Sequence, residues 1–65
     1  MQAILTQKVD QLLGAVHYHL RIDTLGFDLE CSKKEWDKVV KGDKVHIVYH
    51  RHSKQIEIMN VLESN

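Results

Sequence analysis

Between Ala15 and Asp23 apolar and polar residues alternate, with Val16, Tyr18, Leu20 and Ile22 on one side and His17, His19, Arg21 and Asp23 on the other. A period of two is that of a strand with one buried face. Asp23-Thr24-Leu25-Gly26 follows, with Asp at the first turn position and Gly at the last, and Phe27, Leu29 and Cys31 then alternate with Asp28 and Glu30. The two runs predict a β-hairpin. Ser32-Lys33-Lys34-Glu35 has the form of a capping box, in which the serine oxygen accepts an early helical N–H and the glutamate reaches back to the serine N–H. With Ser32 as cap, Cys31 and Trp36 take the two positions of a hydrophobic staple, and Trp36, Val39 and Val40 form an apolar stripe that Gly42 terminates. A helix of about two turns is expected over 33–40.

Alternation resumes after Gly42-Asp43, with Val45, Ile47 and Tyr49 on one face and His46, Val48, His50 and His52 on the other. Arg51-His52-Ser53-Lys54 reads as a polar turn. The last run puts Ile56, Ile58 and Leu62 inside and Gln55, Glu57 and Met59 outside, and Asn60 on the inner side predicts a bulge or a frayed end there. The N-terminal segment fits two periods, because Leu5, Val9, Leu12, Leu13 and Val16 have helical spacing while Ala3, Leu5 and Val9 also fit a strand. A strand is the preferred reading, since four short antiparallel strands leave exposed edges that a fifth hides. The expected fold is therefore mainly β, a small five-stranded antiparallel barrel of the OB or SH3-like kind with one capped helix. The alternative is an α+β domain in which a helix over about 2–13 packs on a four-stranded antiparallel sheet.

Residues 15–62 resemble a loose group of uncharacterised small bacterial barrel domains. The shared pattern consists of Val16-His17-Tyr18-His19-Leu20, Ser32-Lys33-Lys34-Glu35-Trp36, the Gly42-Asp43-Lys44-Val45 turn and Val48-Tyr49-His50. These motifs are structural, so the resemblance implies the barrel and carries over no functional residue. Members of the group are often attached to membrane segments.

Composition narrows the field. The chain has 65 residues, 43% hydrophobic and 28% charged, with no proline and no low-complexity or repeated segment, which describes one small domain. A chain this short buries only about 60% of its unfolded surface, leaving no room for a large enclosed active site. Nine basic and nine acidic side chains give a formal net charge of zero, unlike the basic balance of a protein that works by neutralising phosphates. The lone Cys31 closes no intrachain disulfide, no stretch approaches the roughly 20 apolar residues of a membrane span, and the first ten residues lack a signal-peptide core. The expected location is cytoplasmic.

Five histidines are the one compositional anomaly, and the strand reading puts His17, His19, His46, His50 and His52 opposite the core. Histidines at i and i+2 on a strand point the same way, so His17/His19 and His50/His52 are the candidate ligands for zinc or copper, with Asp28 and Glu30 as added carboxylates. Histidine also changes charge between about pH 5 and 8, so the same face is a candidate pH-responsive surface. The plain alternative is a solvated face with ordinary cross-strand pairs, and no Cys-x-x-Cys or His-Glu-x-x-His spacing argues otherwise. Cys31 falls on the Phe27/Leu29 side, which suits a small core thiol better than a nucleophile. No pair of Asp, Glu or Ser residues has a spacing that specifies acid–base roles, so an enzyme is not expected.

Single-strand nucleic-acid binding needs basic residues interleaved with exposed aromatics. Its candidates are Arg21, Lys41, Lys44, Arg51 and Lys54, while Tyr18, Phe27, Trp36 and Tyr49 are all assigned inward. Val48, Met59 and Val61 fall on outer faces, and Leu12 and Leu13 fall in a loop, so apolar side chains need cover. The reading reached from sequence is a non-enzymatic binding or assembly module that takes a protein partner or forms a homo-oligomer, with metal or nucleic-acid binding as the alternatives.

Overall fold

In a computed structural model, which describes residues 1–12 and 16–65, the chain forms β1 (Gln2–Leu12), β2 (Val16–Ile22), β3 (Leu29–Cys31), α1 (Lys33–Asp37), β4 (Lys44–Tyr49) and β5 (Ile56–Glu63). The N-terminal segment is a strand, and the helix over 2–13 is overturned. Expectations for Leu13 and Ala15, and for where the side chains of Leu12 and Val16 point, lie outside the described residues. The five strands make one antiparallel sheet in the order β3-β2-β1-β4-β5.

β1 serves two partners. Gln2, Ala3 and Ile4 pair with His46, Val45 and Lys44 of β4. From Leu5 onward the strand pairs with β2, starting at Leu5 opposite Ile22. The exchange happens at Leu5, whose N–H donates to the Asp43 carbonyl at 2.9 Å and whose carbonyl accepts from Gly42 N at 2.8 Å. Between Leu5 and Gln7 the register shifts, and Thr6 Oγ1 donates to the Arg21 carbonyl at 3.0 Å. An extra residue reverses which side chains face inward. Lys8 therefore lies opposite buried Leu20, and Val9 lies opposite His19 on the outer face, where the plain alternation had placed it inside. Lys8 is accommodated because its ammonium sits 3.9 Å from the centre of the Trp36 ring.

The core is Ala3, Leu5, Leu20, Ile22, Leu29, Val39, Val45 and Ile47, drawn from β1 to β4 and from the segment after α1. At the sheet's ends β3 and β5 approach each other, with Glu30 N donating to the Lys54 carbonyl at 2.8 Å and one parallel bridge between Glu30 and Gln55. No ladder follows among the described residues, so the sheet is not closed by strand pairing.

The capping box forms as expected. Glu35 N donates to Ser32 Oγ and Ser32 N donates to Glu35 Oε1, both at 3.1 Å. The helix stops at Asp37, short of 40, and Gly42 does not end it. Two hydrogen bonds explain the early exit: Lys38 N turns back to the Glu35 carbonyl, and Val40 N donates to Asp43 Oδ2 at 2.9 Å. The chain swings so that Val39 plugs the core while Val40 is left exposed, which breaks the expected stripe. Gly42 serves the next turn, at φ +97°, where a Cβ would meet the Asn65 side chain at 2.5 Å.

β5 differs most from expectation. Tyr49 pairs with Ile56, Val48 with Ile58, Ile47 with Met59 and Val45 with Val61, and the register shifts fall at Glu57 and Leu62 rather than at Asn60. The bulge at Glu57 turns Met59 inward against the core and puts Ile58 outward beside Val48. The expected inward set of Ile56, Ile58 and Leu62 thus keeps only Ile56.

Asp43 is the one buried charged side chain among the described residues. Its carboxylate accepts from Asn65 N at 2.7 Å and Val40 N at 2.9 Å, which holds it below the ordinary aspartate range. A lowered carboxyl value adds stability that is present above the unfolded value of about 3.9 and disappears as pH falls through the folded one. Asp43→Asn should be less stable than the native chain at pH 7, with the gap narrowing below about pH 4 in urea titrations; a gap independent of pH contradicts this role. Leu20→Ala should cost about 2–5 kcal/mol, whereas Ile58→Ala should stay within about 0.5 kcal/mol. Equal losses would place Ile58 in the core.

Candidate functional site

The five histidines are divided among three places. His17 and His19 stand on β2 with rings nearly parallel, at 7°, and centroids 6.3 Å apart. His19 pairs with Val9 on one side and Glu30 on the other, which brings one of the expected carboxylates beside it. Asp28 is committed elsewhere, since Arg21 Nε and Nη2 reach its two oxygens at 2.8 and 3.2 Å. His46 lies between Gln2 and Asn60 on the outer face of the other half of the sheet. His50 and His52 lie past the end of β4, so their i+2 spacing is not that of one strand, and His50 Nε2 is 4.0 Å from Glu57. Among the described residues no three His, Cys, Asp or Glu side chains are grouped to hold a metal ion.

The basic residues are likewise scattered or engaged. Arg21 is held by Asp28 and by Gln7 Oε1 at 3.0 Å. Lys44 stands opposite Glu63 in the strand register, and Lys54 donates to the Arg51 carbonyl while lying 4.4 Å from the Phe27 ring centre. Lys41 and Arg51 are exposed. The aromatics form two half-buried pairs, Tyr18 with Trp36 at 5.4 Å and Phe27 with Tyr49 at 6.0 Å, and Phe27, Trp36 and Tyr49 pack against the core. None presents an open face like those on which bases stack.

Two shallow grooves flank the sheet. One, of about 270 Å³, lies where β3, the start of α1 and β5 come together, and is lined by Glu30, Cys31, Ser32, Glu35, Gln55 and Ile56. Burial, and then the charges of Glu35 and Glu30, push the Cys31 thiol up to about 12, so it is a protonated group rather than a nucleophile at neutral pH. The other, of about 280 Å³, is lined by Met1, Ile47, Val48, Tyr49 and Arg51.

The second groove adjoins an apolar surface that the alternation located only in part, through Val48 and Val61, while placing Ile58 and Leu62 inside. Ile58 is 47% exposed, Leu62 45%, and Val48 and Val61 38% each, with Ile4 on the neighbouring strand. β5 is the edge of the sheet, paired with β4 on one side and touching β3 only at its start. Its apolar residues are exposed on both faces of an open edge. The legible signal lay in spacing: Ile47 and Tyr49 are two apart, while their partners Met59 and Ile56 are three apart.

Comparisons of the chain with protein-family models, with curated proteins and with solved structures find no match. No helix among the described residues is long and apolar enough to cross a membrane.

The state of Cys31 is directly measurable. Alkylation by iodoacetamide at pH 8 should be at least about 100-fold slower in the folded protein than in urea, where the thiol regains its ordinary value. Comparable rates in the two states would mean that the thiol is open and ionisable.

Proposed function

We propose that this chain is a small OB-type barrel acting as a non-enzymatic protein-binding module, and that it docks its partner along β5 and the adjoining outer face of β4. The barrel reading is supported by β1 pairing with both β2 and β4, by the helix between β3 and β4, and by the parallel approach of β3 to β5. OB-type barrels are partly open in this way.

One observation carries the docking reading. β5 is eight residues long, stands at a sheet edge and leaves Ile58, Val61 and Leu62 substantially exposed. Natural proteins blunt such edges with charge, with proline, with bulges or with very short strands. β3, at the opposite edge, has only three residues, whereas β5 has neither proline nor lysine, and its bulges and charges at Glu57, Leu62 and Glu63 leave residues 58–61 as a regular, uncharged edge. An extended segment added along it gains main-chain hydrogen bonds from the open edge and side-chain contacts with the exposed Ile58, Val61 and Leu62. The nucleic-acid reading has less behind it, because Arg21 is held by Asp28 and Phe27, Trp36 and Tyr49 are packed against the core.

A photoreactive residue placed at Ile58 and, as a control, at Lys33 on the far helix tests the assignment. Cross-links in cells should form to protein from position 58 and not from 33. Products from 33 alone, or from neither position, would sink the reading.

A further inference from the structure

The partner chemistry can be narrowed from β5 itself. Resting on the β5 docking reading, we propose that the strand added to this edge is β5 of a second copy, running antiparallel about a two-fold axis through Met59.

Symmetry and charge select that register. A two-fold axis that joins two edges antiparallel stands perpendicular to the sheet and keeps the same face of both copies on the same side. Directly opposed residues point to the same side. On the regular stretch between the bulges, Ile58 and Asn60 face outward and Met59 and Val61 face inward. The axis must then pass through a residue, and of residues 58–61 Met59 and Asn60 are the two that give the longest overlap of the two strands. Centring on Asn60 sets Glu57 against Glu63 of the other copy, a like-charge opposition that destabilises a pair. Centring on Met59 sets Glu57 against Val61 and pairs residues 56–62 of the two copies, while Glu63 runs past the paired stretch because the edge at Gln55 is taken by Glu30 of β3; no two charges are opposed within the paired stretch. The two methionines then meet on the inner face, where their flexible thioethers fill an irregular seam. Outside, Ile58 of each copy packs beside Asn60 and Val48 along the junction.

The whole-molecule balance is permissive as well. With nine basic and nine acidic side chains the net charge is zero, so two copies approach without the repulsion that keeps charged small domains apart. The added strand also removes the unpaired backbone groups of the longer edge.

An interface of one strand pair is small, so the dimer should be concentration-dependent. Sedimentation should show the mass rising from 7.6 kDa towards twice that value between about 10 µM and 1 mM. Ile58→Lys/Asn60→Lys puts two cations per copy on the outer seam, and should stay monomeric at every concentration, with the native thermal midpoint at about 10 µM, where the native chain is itself monomeric. In a Cys31→Ser background, Met59→Cys should oxidise to a disulfide-linked dimer, because directly opposed Cα atoms lie within disulfide reach. Asn60→Cys should cross-link poorly. A native chain that is monomeric at 1 mM overturns self-pairing, and preferential cross-linking through position 60 overturns the Met59 register. If the Ile58 photo-cross-link then captures a different protein, the docking reading survives without the dimer; if it captures none, both fall.

Discussion

The fold depends on one exchange of hydrogen-bond partners in the middle of β1. An eleven-residue strand cannot remain straight and pair fully with both β2 and β4 in a domain this small, so it divides its length between them. Leu5 is the crossing point. Its backbone is spent on Gly42 and Asp43, at the entry to β4, while its side chain is buried with Ile22 opposite. The extra residue at Thr6 releases the strand to follow β2 alone. Bulges supply bending and added twist of this kind wherever a sheet must curl.

Several features that look independent follow from that crossing. The reversal of facing beyond Thr6 sends Val9 out beside His19 and brings Lys8 in, where Trp36 receives its ammonium. Trp36 is held there by a helix of five residues, too short to be stable alone and fixed by its capping box and by packing on β2. The early exit from that helix drops Val39 into the core and brings Val40 N to Asp43. Asp43 then closes the loop of dependence, since its carbonyl receives Leu5 N while its carboxylate holds Val40 and Asn65. A carboxylate is tolerated at this depth because two backbone N–H groups solvate it in place of water.

How much of this could be read from sequence followed the range of the forces involved. The hairpin of β2 and β3, the Ser32 cap and the strand facing of β4 rest on local alternation and turn chemistry, and they appear in the expected order, although β3 begins only at Leu29 and leaves Phe27 and Asp28 in a wider connection. The antiparallel five-stranded sheet follows from the same patterns. The facing of Val9, the end of α1 and the register of β5 depend on bulges and on a side-chain contact from Asp43. Those contacts join residues far apart in the chain or insert one residue into a ladder, and a period of two carries no record of either. The histidines show the same limit. Their outward placement on β2 and β4 was legible, but the loop after β4 separates His50 and His52 from any common strand face. Spacing alone had suggested four ligands, and the turn leaves two stacked rings with Glu30 beside one of them.

The two edges of the sheet make the clearest physical contrast in the molecule. At β3 the strand is three residues long, its end is capped by α1, and its outward flank is partly taken up by Lys54 and Gln55. At β5 the strand is longer than a folded core of this size requires, since only Ile56 and Met59 of its side chains pack on the core. The bulge at Glu57 makes this asymmetric distribution possible, by spending one position of the ladder to turn Met59 in and Ile58 out. Had the alternation run unbroken, Ile56 and Ile58 would both have faced the core and Met59 would have faced water. The strand instead divides its apolar surface, anchoring itself with one part and presenting the other. The edge so formed keeps isoleucine and valine exposed on a short regular stretch, without proline or lysine, between the bulges at Glu57 and Leu62.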